Sequence, residues 1–161
     1  MTQLGLTQEN YHPDHCNVTS YKLAFIHGSS RFLVHGLWPE GCCQCTTCSY
    51  PTCCQMDKFS NFVMPKNTDF IDHNWYGGQS HMDNHVCGMR TYTLFEHEVL
   101  KHGSCMGLDA TGYMSIVAKV YERYYMDLDK LCVGKRVYIP RDPDMVAHTC
   151  ELSLNEDFTL A

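Results

Sequence analysis

Phe32-Leu33-Val34-His35-Gly36-Leu37-Trp38-Pro39 and, about sixty residues further on, His97-Glu98-Val99-Leu100-Lys101-His102-Gly103-Ser104-Cys105 decide how this chain is read. Residues 19–27 are rich in aromatic and β-branched side chains and predict a strand. Residues 31–35 predict a second, with Gly28-Ser29-Ser30 as the turn. His35 then falls at a strand end, where Gly36 loosens the backbone. The second run closes a predicted helix over 91–102. Thr91 or Thr93 caps it, Gly103 ends it, and Lys101 and His102 lie near its negative end. A helix turns about 100° per residue, so Glu98, Lys101 and His102 share one face, His97 borders it, and Val99 and Leu100 are left to anchor the helix.

Working outward, residues 41–55 form a cysteine-dense stretch with Pro51 in it and no clear periodicity, which predicts a cross-linked loop. A short helix is predicted over 69–76, stopped by Gly77-Gly78. In a longer one over about 113–131, Tyr113, Val117, Val120, Tyr124, Leu128 and Leu131 make a core-facing stripe. Residues 133–139 predict a strand, 141–144 a turn, and 145–154 a final strand or pair. The expected fold is α+β, a central antiparallel sheet flanked by helices, as a single domain over 1–161.

The 161 residues suffice for one core, and no apolar run approaches the ~18 residues that span a bilayer. No membrane association is expected. The first residues show neither a basic start nor an apolar segment, so no secretory signal is visible. Eleven cysteines nonetheless point to an oxidising destination from which a signal has been removed. Asn17-Val18-Thr19 is a candidate glycosylation triplet. The formal charge is −6, and protonating all ten histidines would bring it to +4. An acidic compartment would therefore weaken repulsion of a polyanion.

His-Glu invites a zinc-protease reading, but that motif needs its second histidine four residues after the first, on the same helix face. Here it comes five later, and Lys101 would crowd the site with positive charge. No metal and no cofactor are expected. The residues suit RNA cleavage instead. The ribose 2′-hydroxyl must lose a proton as it attacks phosphorus, and the departing 5′-oxygen must gain one. His35 and His102 can form that acid–base pair, each properly placed group being worth about 10² to 10⁴ in rate. Lys101 can neutralise the non-bridging oxygens. Glu98 is expected to position a cation and raise its pKa, or to donate a hydrogen bond when neutral. DNA lacks the attacking hydroxyl, so DNA is excluded as a substrate.

The two runs resemble the signatures of the ribonuclease T2 family, Phe-x-x-His-Gly-Leu-Trp-Pro and His-Glu-Trp-x-Lys-His-Gly-Thr-Cys, with Val99 and Ser104 in place of the tryptophan and threonine. The resemblance implies His102 as general base and His35 as general acid, with Glu98 and Lys101 stabilising the transition state. It also implies His97 as a phosphate contact, Trp38 stacked on a base of single-stranded RNA, and Glu40 helping to select that base. It further implies cleavage through a 2′,3′-cyclic phosphate with low base specificity, an acidic optimum, and a secreted, periplasmic or lysosome- or vacuole-like location. The alternative is a catalytically inactive binding protein on the same scaffold, using its cysteine-rich loop. A lost histidine, lysine or glutamate would favour it, and none is lost.

The same resemblance suggests that Cys16 pairs with Cys42 or Cys43, Cys105 with Cys53 or Cys54, and Cys132 with Cys150. An odd total leaves a thiol over, free or shared with another chain, though a monomer is expected. Cys42-Cys43-x-Cys45-x-x-Cys48 contains one Cys-x-x-Cys pair, the alternative being zinc.

Overall fold

The computed structural model describes residues 17–27, 30–42, 51–54, 62–132 and 149–161, with Cys42 described by its backbone. Several expectations lie outside them: the cross-link from Cys16 to Cys42 or Cys43, zinc on the Cys42–Cys48 stretch, the strand over 133–139, the turn over 141–144 and the first residues of the last strand.

Two long strands, β1 (Asn17–His27) and β2 (Phe32–Cys42), pair antiparallel, and β5 (Thr149–Asn155) joins the far side of β1 in the order β2-β1-β5. In β5 the period-two pattern is clean: Cys150, Leu152 and Leu154 are buried, while Glu151, Ser153 and Asn155 are exposed. β2 is longer than the expected 31–35. It runs on through Pro39, which an edge strand tolerates because the missing N–H would face away from the sheet. His35 is therefore not at a strand end. Ala24 pairs with Gly36 and Phe25 with Val34, so His35 is the extra residue of a bulge in mid-strand. Bulges bend a strand and re-aim a side chain.

Helices cover the sheet: α1 (Asp69–Asn74), α2 (Leu94–Lys101), α3 (Ala110–Tyr124) and α4 (Leu128–Leu131). α3 starts three residues earlier than expected because the Asp109 side chain caps it, accepting from Gly112 N at 2.8 Å. A 3-10 turn over Tyr125–Asp127 separates it from α4, yet the stripe holds: Tyr113, Val117, Val120, Tyr124 and Leu128 are all buried. They pack with Leu23, Phe25, Val34, Leu37, Leu152 and Leu154 of the sheet.

A hairpin of β3 (Asn84–Val86) and β4 (Met89–Thr91) was not expected. Three-residue strands are too short for alternation to register. Its two-residue turn has positive φ at both Cys87 and Gly88, as a primed turn requires. β4 takes Thr91, so α2 begins at Leu94 rather than 91. Thr93 is the cap, its hydroxyl accepting from Glu96 N at 3.1 Å.

Three disulfides join described residues: Cys53–Cys87, Cys54–Cys105 and Cys132–Cys150. The first ties the loop at 53–54 to the hairpin, using a cysteine to which no partner had been assigned. The second fastens that loop to the turn after α2. Cys53 N also donates to the Lys101 carbonyl at 2.9 Å. Buried Ser104 accepts from Cys54 N at 3.0 Å and donates to the Leu100 carbonyl at 2.7 Å. The Leu100 and Lys101 carbonyls at the end of α2 are thereby satisfied, the first by a hydroxyl that serine supplies as well as threonine. No helix of the described residues is long and apolar enough to cross a membrane.

Candidate active site

α2 divides its faces as its sequence dictates. Phe95 and Val99 enter the main core, Leu100 joins a smaller cluster with Cys53 and Cys87, Glu98 and His102 turn toward β2, and the Lys101 ammonium is near enough to act on all three imidazoles. Val99, in the place of the family tryptophan, is 1% exposed and fully part of the core.

The Glu98 carboxyl is the meeting point. Its Oε1 lies 3.8 Å from His35 Nε2, while Oε2 lies 3.9 Å from His97 Nε2 and 3.8 Å from His102 Nε2. Imidazoles from a strand and from a helix thus face one group. Trp38 forms a wall beside them, its ring centroid 5.1 Å from His35, edge-on, and 5.4 Å from His102 at a tilt of 30°. Its Nε1 donates to Glu98 Oε1 at 2.8 Å. Trp38 is thus built into the site by its polar edge.

Gly36 makes this approach feasible. A Cβ there would stand 2.1 Å from Glu98 Oε1 and 2.7 Å from Trp38 Nε1. The glycine of the first run is needed for room, because the carboxyl fills the space a side chain would occupy.

Burial sets the charge states. Glu98 is 1% exposed, and desolvation pushes its pKa up to about 8, against the smaller opposing pulls of the Trp38 hydrogen bond and the Lys101 ammonium. It is a neutral acid below that pH. With Oε1 accepting from Trp38, the proton belongs on Oε2, which faces His97 and His102. The histidines shift the opposite way. Burial first, then His97 and Lys101, lower His35 to about 4, and burial and Lys101 lower His97 to about 4. His102 is held well below its usual value by burial, then by Lys101, His97 and His35. The expectation that Glu98 raises a neighbouring cation's pKa fails for that reason: an uncharged carboxyl offers no attraction, and desolvation and like charge prevail. The side chains of His35 and His102 are 32% and 7% exposed, so the imidazole nearer solvent is the easier to protonate. The Nδ1 atoms of His97 and His102 are buried without a hydrogen-bond partner among the described residues.

Of the residues singled out by sequence, His35, Trp38, His97, Glu98, Lys101 and His102 are brought together. Glu40 is not one of this group. It lies further along β2, where Oε1 accepts from Ser20 Oγ at 3.3 Å. Asn17 is exposed at the start of β1. Tyr113 was expected only in the core, yet its hydroxyl accepts from Leu37 N and donates to Leu37 O, each at 2.9 Å, on the strand that carries His35. A tyrosine in an otherwise apolar stripe was the signal, since a buried phenol needs a partner.

The profile of the Ribonuclease T2 family matches residues 3–136. Among solved structures, an RNase-related protein from Calystegia sepium superposes with a TM-score of 0.58 over 91% of each chain at 16% identity, a likeness of fold. No curated protein matches the sequence. With the profile spanning most of its length, including both signature runs, the chain belongs to the ribonuclease T2 family.

Proposed function

We propose that this protein is a metal-independent endoribonuclease that cleaves single-stranded RNA through a 2′,3′-cyclic phosphate to 3′-phosphate ends, with low base specificity. The observation that carries the reading is the convergence of His35 and His102, from a bulged strand and a helix, on the two oxygens of one buried carboxyl.

Neutral His102 takes the proton of the 2′-hydroxyl as the 2′-oxygen bonds to phosphorus. The bond to the 5′-oxygen breaks, and protonated His35 delivers a proton to it. The environments suit these roles, since His102 stays neutral in acid while His35 can be charged there. Lys101 offsets charge on the non-bridging oxygens, and the Oε2–H of Glu98 donates to one of them, without the repulsion a carboxylate would bring. In the second step the roles reverse as water opens the cyclic phosphate. His97 contacts phosphate, the Trp38 face stacks on a base, and Glu40 helps select it. Three disulfides among the described residues suit an oxidising compartment. We infer a secreted or vacuole-like, acidic location, with Asn17 as a glycan acceptor and the chain acting as a monomer.

The test is incubation with oligoribonucleotides in excess chelator at several pH values, comparing the wild type with His102→Ala. Cyclic-phosphate ends made by the wild type and lost in the variant are expected. RNA bound but uncut by the wild type would overturn the reading in favour of an inactive binding scaffold.

A further inference from the structure

Tyr113 is fully buried near the middle of the core, with its ring against Trp75 and Phe95. Aromatic packing alone would be served by phenylalanine. The hydroxyl does something more specific. Among the described residues β2 lies at an edge of its sheet, and at Leu37, which faces Leu23 of β1, both peptide groups turn away from β1. One phenolic oxygen takes both, accepting from the N–H and donating to the carbonyl at 2.9 Å each. Among the described residues it thus supplies at Leu37 the pairing a neighbour strand would give. Leu37 lies between Gly36, whose Cα borders the Glu98 carboxyl, and Trp38, whose indole donates to that carboxyl.

The same ring also meets the other wall. A Cβ on Gly103 would lie 3.0 Å from Tyr113 Cδ1 and 3.1 Å from Cγ, so the residue directly after His102 sits against the phenol. One side chain from α3 therefore touches the strand that carries His35 and the turn that follows His102. Burial, and then the nearby Glu98 carboxyl, keep the phenol protonated and able to donate.

We propose that Tyr113 is a positioning residue of this site: its hydroxyl fixes the Leu37 peptide and its ring fixes Gly103, so that it sets the spacing between the His35 and His102 imidazoles. The inference rests on the ribonuclease reading for its consequence in rate, though the spacing itself is a property of the fold. Tyr113→Phe keeps the ring against Gly103 and leaves both Leu37 groups unpaired. Acting through other residues, it lowers kcat about 10- to 100-fold with KM changed less than threefold, since misplacement of reacting groups lowers turnover first.

The experiment pairs Tyr113→Phe with Val117→Ala, a cavity one turn along the same buried stripe. For both, kcat and KM on a dinucleotide are measured together with the imidazole titrations of His35 and His102 by NMR. The expected result is displaced titrations and reduced kcat in Tyr113→Phe, with Val117→Ala close to wild type in both at comparable loss of stability. Rate losses that follow stability alike in the two variants, or titrations unmoved in Tyr113→Phe, would overturn the proposal. Should the phenylalanine variant not fold, a ring-fluorinated tyrosine at position 113 keeps the shape while weakening the hydroxyl as an acceptor, and the same comparison applies. Should wild type cleave no RNA, the ribonuclease reading fails while the ring titrations still judge the tyrosine.

Discussion

Trp38 Nε1 and Glu98 Oε1 are 2.8 Å apart, and this hydrogen bond joins the bulged strand to the face of α2 that carries Glu98. It decides which oxygen of a buried acid carries the proton, and it opposes part of the desolvation that raises the carboxyl's pKa. The aromatic ring and the polar edge of Trp38 thus have separate duties.

Trp38→Phe separates them. A ring remains beside His102, the donor is lost, and the Glu98 pKa rises above about 8, because the interaction favouring its charged form has gone. Carboxyl 13C titration checks this. A drop of about 10- to 100-fold in kcat is expected, in keeping with one misaligned electrostatic group.

Acidic operation follows from the lowered histidines. In the proposed mechanism the general acid, His35, must be charged, and its pKa is lowered to about 4, so the charged fraction falls about tenfold per unit as pH rises beyond that value. His102 lies well below its usual value and stays neutral through the same range. The kcat/KM profile, which reports pKa values of the free enzyme, is expected to decline from about pH 4 upward. A plateau extending to pH 7 would contradict it.

The fold was legible where chemistry repeats in the sequence. Aromatic and β-branched content marked β1, the 3.6-residue stripe marked α3, and the spacing of Glu98, Lys101 and His102 placed them on one helix face. What escaped depends on distant partners. The bulge at His35 arises from how β1 and β2 register, which neither strand encodes alone. Cys87 finds Cys53 only because the β3–β4 hairpin packs along α2. Tyr113 looked like any core residue until Leu37 lay above it. The sense of the pKa shifts was likewise hidden, since it depends on burial, and burial is a tertiary property.

Glu98 also couples stability to pH. In the unfolded chain it ionises near 4.5 and in the fold at about 8, so between those values the folded state keeps a proton that the unfolded state has released. Its contribution to stability therefore falls as pH rises through that window. His35 and His97, lowered from 6.5 to about 4, act in the opposite sense, adding stability from pH 4 to 6.5 and nothing beyond. The interval from pH 6.5 to 8 isolates the glutamate. Urea unfolding there is expected to show wild-type stability falling as pH rises, by about 1 kcal/mol per pH unit and less as pH nears 8. Glu98→Gln, which can still accept from Trp38, should be flat.

Gly36→Ala tests whether the closeness of strand and carboxyl is needed for function. The added methyl carbon would lie 2.1 Å from Glu98 Oε1 and 2.7 Å from Trp38 Nε1, far inside van der Waals contact. Both atoms belong to the same hydrogen bond, so relief requires either breaking it or pushing β2 away from α2. Tyr113 and the pairing with Ala24 hold β2 in place. The carboxyl is then the part that yields, turning away from the three imidazoles it now faces. Overpacking of this kind costs about 1 to 3 kcal/mol, which the disulfide-linked fold is expected to survive with an unchanged far-UV spectrum. RNA cleavage should fall by 10² or more, because His35, Glu98 and His102 no longer share one centre. Activity within threefold of wild type in a folded Gly36→Ala protein would show that the carboxyl need not lie against the strand.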